Sequence, residues 1–62
     1  MNRIKEIAEQ KNIKISSIID STGLSKSFVY DVINGKSYPT IPTGQKIARS
    51  LNSTLEEVFP SN

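Results

Sequence analysis

The chain is 62 residues long, carries a net charge of +2, and contains neither cysteine nor histidine. That length admits one domain, expected over residues 1–62, and the missing residue types exclude a disulfide framework, a thiol nucleophile and the usual zinc sites. No stretch approaches the roughly 20 apolar residues of a bilayer span, and the charged start MNRIKEIAEQKN lacks the apolar run of a signal peptide, so a soluble, cytoplasmic protein with no membrane partner is expected.

Isoleucine dominates the apolar residues, and its spacing is helical. Ile4, Ile7 and Ala8 fall at i, i+3 and i+4, and Ile15, Ile18 and Ile19 repeat the pattern. Isoleucine favours strands by propensity, but no segment alternates strictly for more than a few residues, so the period decides for an all-α chain. A first helix is expected at about 2–11, closed by Asn12, and a second at 15–22. Gly23 follows directly, where a positive φ lets the backbone leave a helix. Ser25 reads as the N-cap of a third helix at 26–34, because its hydroxyl can accept an early backbone N–H. Asn34-Gly35 ends that helix by the same left-handed chemistry as Gly23.

Residues 36–42 form a loop with two prolines. Thr40 is the expected N-cap of a fourth helix, with Pro42 in its first turn, where a missing N–H costs nothing. That helix runs to about residue 51 with Ile47, Ala48 and Leu51 inward. Thr54 with Glu57 three residues on is a capping box for a short fifth helix ending near Phe59-Pro60, and Ser53 with Glu56 is an alternative frame for it. There are no repeats or linkers. The expectation is five short helices in one compact domain.

Residues 15–34, ISSIIDSTGLSKSFVYDVIN, carry the functional signal. Two helices of about eight residues are joined by Gly23-Leu24-Ser25, and so short a connection forces the sharp angle of a helix-turn-helix. The inward set is Ile18, Ile19, Leu24, Val29 and Val32, with Ile13, Ile47 and Leu51 completing the core. The third helix then presents Lys26, Ser27, Phe28, Tyr30 and Asp31, each able to address a base edge or a phosphate. Lys26 can donate to guanine, Phe28 can touch a thymine methyl or fold back onto the core, and Asp31 can accept from cytosine while repelling phosphate. Lys14 precedes the second helix, Ser16 and Ser17 open it and Ser25 precedes the third, and all are expected within reach of phosphate. Lys11, Lys14, Lys26 and Lys36 lie before or around the reading helix, whereas Glu56 and Glu57 lie at the far end.

In this order and at these spacings, RIKEIAEQKNI, STGLSKSFVYDVINGK, NGKSYP, KIARSL and STLEEVF resemble the lambda-repressor-like, Cro/C1 or Xre type of helix-turn-helix domain, and the resemblance covers nearly the whole chain. It implies a five-helix fold with the helix at 26–34 laid in the major groove of double-stranded DNA. It also implies a bacterial or phage regulator of repressor type that binds a pseudo-palindromic operator as a homodimer, at least on DNA, with half-sites roughly 34–36 Å apart. The same resemblance places backbone N–H groups of the loop at Asn34, Gly35, Lys36 and Thr40 on phosphate. It puts the two-fold contact near the last helices, where Leu55, Val58 and Phe59 are more apolar than a short terminal helix needs.

The chain departs from that pattern at several positions. Ile15 stands where glutamine often touches phosphate, and Ile19 where alanine lets the two motif helices cross closely. Ala8 and Ile33 stand where an arginine–glutamate pair is common, so an apolar contact is expected instead. Gly44 replaces a common leucine, which predicts a loosely packed start of the fourth helix. With no histidine, cysteine, glycine-rich phosphate loop or paired carboxylates, no enzyme, cofactor, metal or small-molecule ligand is expected. The competing reading is a protein-interaction module or antitoxin-type component of the same fold, favoured by Asp31 on the reading face and by Ile15.

Overall fold

A computed structural model describes residues 2–61 and contains five helices and no strand among them. They are α1 (Ile4–Gln10), α2 (Ile15–Thr22), α3 (Lys26–Ile33), α4 (Ile41–Ser50) and α5 (Leu55–Val58). No helix is long and apolar enough to cross a membrane.

Every helix delivers apolar side chains to one core. Ile4, Ile7 and Ala8 come from α1, Ile18 from α2, Val29 and Val32 from α3, Ile47 and Ala48 from α4 with Leu51 just beyond it, and Val58 from α5. No polar or charged residue is buried among the described residues, so the interior is held by apolar burial without the desolvation cost of enclosed polar groups. Ile13, Ile15, Ile19, Leu24, Phe28, Ile33 and Phe59 close over this cluster, each partly buried. Ile13 thus sits at the rim of the core, not inside it. α2 packs against both α3 and α4, and α4 against α5.

The starts of the helices follow their caps. Ser25 Oγ accepts from the Phe28 N–H at 3.2 Å and Thr40 Oγ1 from the Thr43 N–H at 3.4 Å. Thr54 and Glu57 form the reciprocal capping box: Thr54 Oγ1 accepts from the Glu57 N–H and Glu57 Oε1 from the Thr54 N–H. The Ser53–Glu56 frame is not used. α2 alone among α2 to α5 has no side-chain cap, since Lys14 occupies its N-cap position.

The ends are more uniform than their sequences. Asn12, Gly35 and Asn52 all have positive φ, 57°, 77° and 51°. Around each, the same pair of bonds closes the helix: Ile13 N–H to Ala8 O with Asn12 N–H to Glu9 O, Lys36 N–H to Asp31 O with Gly35 N–H to Val32 O, and Ser53 N–H to Ala48 O with Asn52 N–H to Arg49 O. These are Schellman closures, with asparagine accepting the left-handed conformation that glycine adopts most easily. The role of Asn52 carries no signal beyond its residue type and was not anticipated from sequence. Gly23, φ 72°, closes α2 by a single bond to Ile19 O.

Two expectations are corrected. The first helix is shorter than 2–11, because Asn2 lies outside it and its Oδ1 accepts from the Ile4 N–H at 3.1 Å. The start of α4 is tightly packed. Gly44 is buried, and a Cβ there would lie 2.9 Å from Leu55 Cδ1 and 3.5 Å from Phe59 Cε2. The missing side chain is what lets α5 approach α4.

Candidate nucleic-acid interface

α2, the turn at Gly23-Leu24-Ser25 and α3 form the helix-turn-helix. Leu24 is half-buried and pins the turn to the core, while Val29 and Val32 are fully buried and hold down one face of α3. The opposite face presents Lys26, Ser27 and Tyr30, all exposed. Phe28 and Asp31 are half-buried, and Phe28 packs against the core cluster, so only part of its ring faces outward. The outward surface of α3 is therefore a cation, two hydroxyls and part of a ring, with the half-buried Asp31 beside them.

On one flank of α3, Tyr30 shares a hollow with the start of α2. Lys5, Glu9, Lys14, Ile15, Ser16 and Tyr30 are among the residues around a shallow hollow of about 440 Å³. Ser16 and Tyr30 thus border the same hollow as two lysines, and Lys5 of α1 joins a set that sequence spacing could not have placed there. Ser17, also exposed, donates its backbone N–H to Lys14 O. Ile15 is half-buried against the core.

The other flank is the turn after α3. Asn34, Gly35 and Lys36 are exposed, but their backbone N–H groups, with that of Ser37, are already bonded to Tyr30 O, Val32 O and Asp31 O. Those amides are therefore engaged within the turn, and the exposed side chains of Asn34 and Lys36 are what this flank offers to a partner. Thr40 is exposed, but its hydroxyl caps α4 and donates to Thr43 Oγ1 at 3.1 Å. Ser25 is similarly engaged: its Oγ accepts from the Phe28 N–H as the cap and pairs with Ser27 Oγ at 3.5 Å.

Two more sequence expectations change. Lys11 is not part of this surface: its Nζ donates to Leu51 O, Asn52 O and Ser53 Oγ at 3.0, 2.8 and 3.1 Å, closing the end of α4 from α1. Val58 is completely buried and offers nothing to a partner, whereas Leu55 and Phe59 are half-buried. The apolar surface nearby comes instead from Tyr38, 82% exposed, and Ile41, 66% exposed. These two, with Pro39, Gly44, Leu55 and Phe59, surround a hollow of about 190 Å³.

Comparison with known proteins agrees with this geometry. The family described as helix-turn-helix matches residues 4–58, which spans all five helices. The chain is also similar to the SPbeta prophage-derived uncharacterized HTH-type transcriptional regulator YotL of Bacillus subtilis (strain 168), at 29% identity over 62 residues, covering 98% of this chain and 78% of that protein. No solved structure matches. With a sharp helical pair at 15–33, an outward polar face on its second helix, and a family match across the five-helix frame, the chain belongs to the Cro/C1-type helix-turn-helix family of DNA-binding transcription regulators.

Proposed function

We propose that the chain is a sequence-specific regulator of repressor type that reads the major groove of double-stranded DNA with α3. The observation that carries this reading is the division of α3 into two faces. Val29 and Val32 are sealed in the core, while Lys26, Ser27 and Tyr30 stand out from it on a helix whose start is fixed by the Ser25 cap. Lys26 and Ser27 lie in the first turn, the part of such a helix whose residues contact base edges, and are the base readers, with the exposed part of Phe28 beside a thymine methyl. Asp31, set back, orients neighbouring cations or accepts from cytosine. Lys14, Ser16 and Tyr30 on one flank and Asn34 and Lys36 on the other hold the phosphates of the two groove walls.

The protein acts as a homodimer on a pseudo-palindromic operator, through Leu55 and Phe59 extended by Tyr38 and Ile41. Large exposed apolar side chains around one hollow favour a face that is covered in the working assembly. The similar Bacillus subtilis protein is named as an HTH-type transcriptional regulator, which supports a regulatory role in general.

Titration of a labelled duplex at several salt concentrations tests this. Affinity should fall steeply with salt, by about 0.9 logarithmic units per decade for each phosphate neutralised, and Lys36→Ala should lower that slope by about one while weakening all sequences alike. Absence of binding to any duplex at low salt would reject the reading in favour of a protein-interaction module.

A further inference from the structure

We infer that Asn2 is a positioning residue for the reading helix; this rests on the proposal that α3 reads DNA. Across residues 26–33, the side-chain and backbone hydrogen bonds among the described residues are local, with one exception. Asn2 Nδ2 donates to Val32 O at 2.7 Å, across 30 residues of sequence. Everything else that holds α3 to the rest of the molecule is apolar: Val29 and Val32 in the core, Phe28 and Ile33 against it.

The distinction matters because apolar contact is non-directional. It sets how deeply α3 is seated, yet leaves small rotations about the axis and slips along it weakly opposed. A hydrogen bond is directional, weakening steeply away from linearity, and this one falls on a carbonyl of the last turn, where no further helical N–H follows. Val32 O already receives the Gly35 N–H at 3.1 Å as part of the closing turn. Asn2 therefore fixes the end of α3 and the turn that presents Asn34 and Lys36 together, and with them the register between base readers and phosphate anchors.

Asn2 is itself anchored. Its Oδ1 accepts from the Ile4 N–H, and the next residue donates its backbone N–H to Val58 O at 2.8 Å. The orientation of the amide follows from its partners: a flipped amide would set oxygen against the Val32 carbonyl and N–H against the Ile4 N–H. The side chain is half-buried, and it borders two hollows beside Gly35 and Tyr38. Serine at this position can keep the local turn onto Ile4 but is too short to reach Val32. Aspartate keeps the acceptor and lacks the donor.

The test compares wild type, Asn2→Ser and Asn2→Asp. Two duplexes serve as probes: the one most enriched by wild type from a random pool, and a shuffled duplex of equal composition. All measurements are made well below the unfolding temperature of each variant, checked by circular dichroism. Both variants should lose about three- to tenfold in affinity for the enriched duplex, the weight of one hydrogen bond. Binding to the shuffled duplex should change by less, so the specificity ratio falls. Folded variants with an unchanged ratio would overturn the inference while leaving the proposed function standing. Failure of wild type to enrich any duplex would overturn both.

Discussion

Lys11 uses its charge inside the molecule. A positive group beside the last carbonyls of a helix is favoured by their dipoles, and three donated bonds tie the end of α1 to the end of α4. Lys11→Met should lower stability by about 1 kcal/mol in urea unfolding, since hydrogen bonds from an exposed charge are partly replaced by water. It should leave the salt slope of DNA binding unchanged, in contrast to Lys36→Ala. Gly44 is the second residue whose part is structural. Gly44→Ala needs only the end of Leu55 to move, and the gain in helix preference, about 0.5–1 kcal/mol, should bring it near neutral. Gly44→Leu, by contrast, should cost about 1–3 kcal/mol through overpacking against Leu55 and Phe59. Neither part could be read from spacing, because the partners lie 40 to 42 residues away for Lys11 and in or just beyond a separate helix for Gly44.

At the scale of elements, what was legible was local. The Ser25, Thr40 and Thr54 caps, the left-handed Gly23 and Gly35, and all five helices follow from neighbours within four residues. What was not legible depended on contacts made elsewhere, such as the reach of Asn2 to Val32 or the complete burial of Val58 in the core. The fate of the turn amides at 34–37 belongs to both. The Asn-Gly stop is plain in the sequence, yet its closing bonds occupy the N–H groups that a phosphate would need. The capping box of α5 gives a prediction in pH. Bonds from the Thr54 backbone first, then its side chain, hold the Glu57 carboxyl below its usual value of 4.5. A carboxylate favoured in the folded state adds stability above its unfolded value and loses it as the pH falls through the lower folded one. Thermal unfolding between pH 6 and pH 3 should therefore show a decline below about pH 4.5 that is smaller in Glu57→Gln.

For the molecule as a whole, size constrains function. Its extents are 28 × 22 × 19 Å, less than the roughly 34–36 Å between half-sites one helical turn apart. Under the proposed function, one copy then reads one half-site and a two-fold operator takes two. The measurement that bears most directly on the reading role of α3 is selection of bound duplexes from a random pool, run in parallel with wild type and Lys26→Ala. The account predicts that wild type enriches two inverted half-sites about one turn apart, and that Lys26→Ala changes the preferred base at matching positions of each half-site. Identical preferred sequences from the two proteins, or no enrichment by wild type, would contradict it.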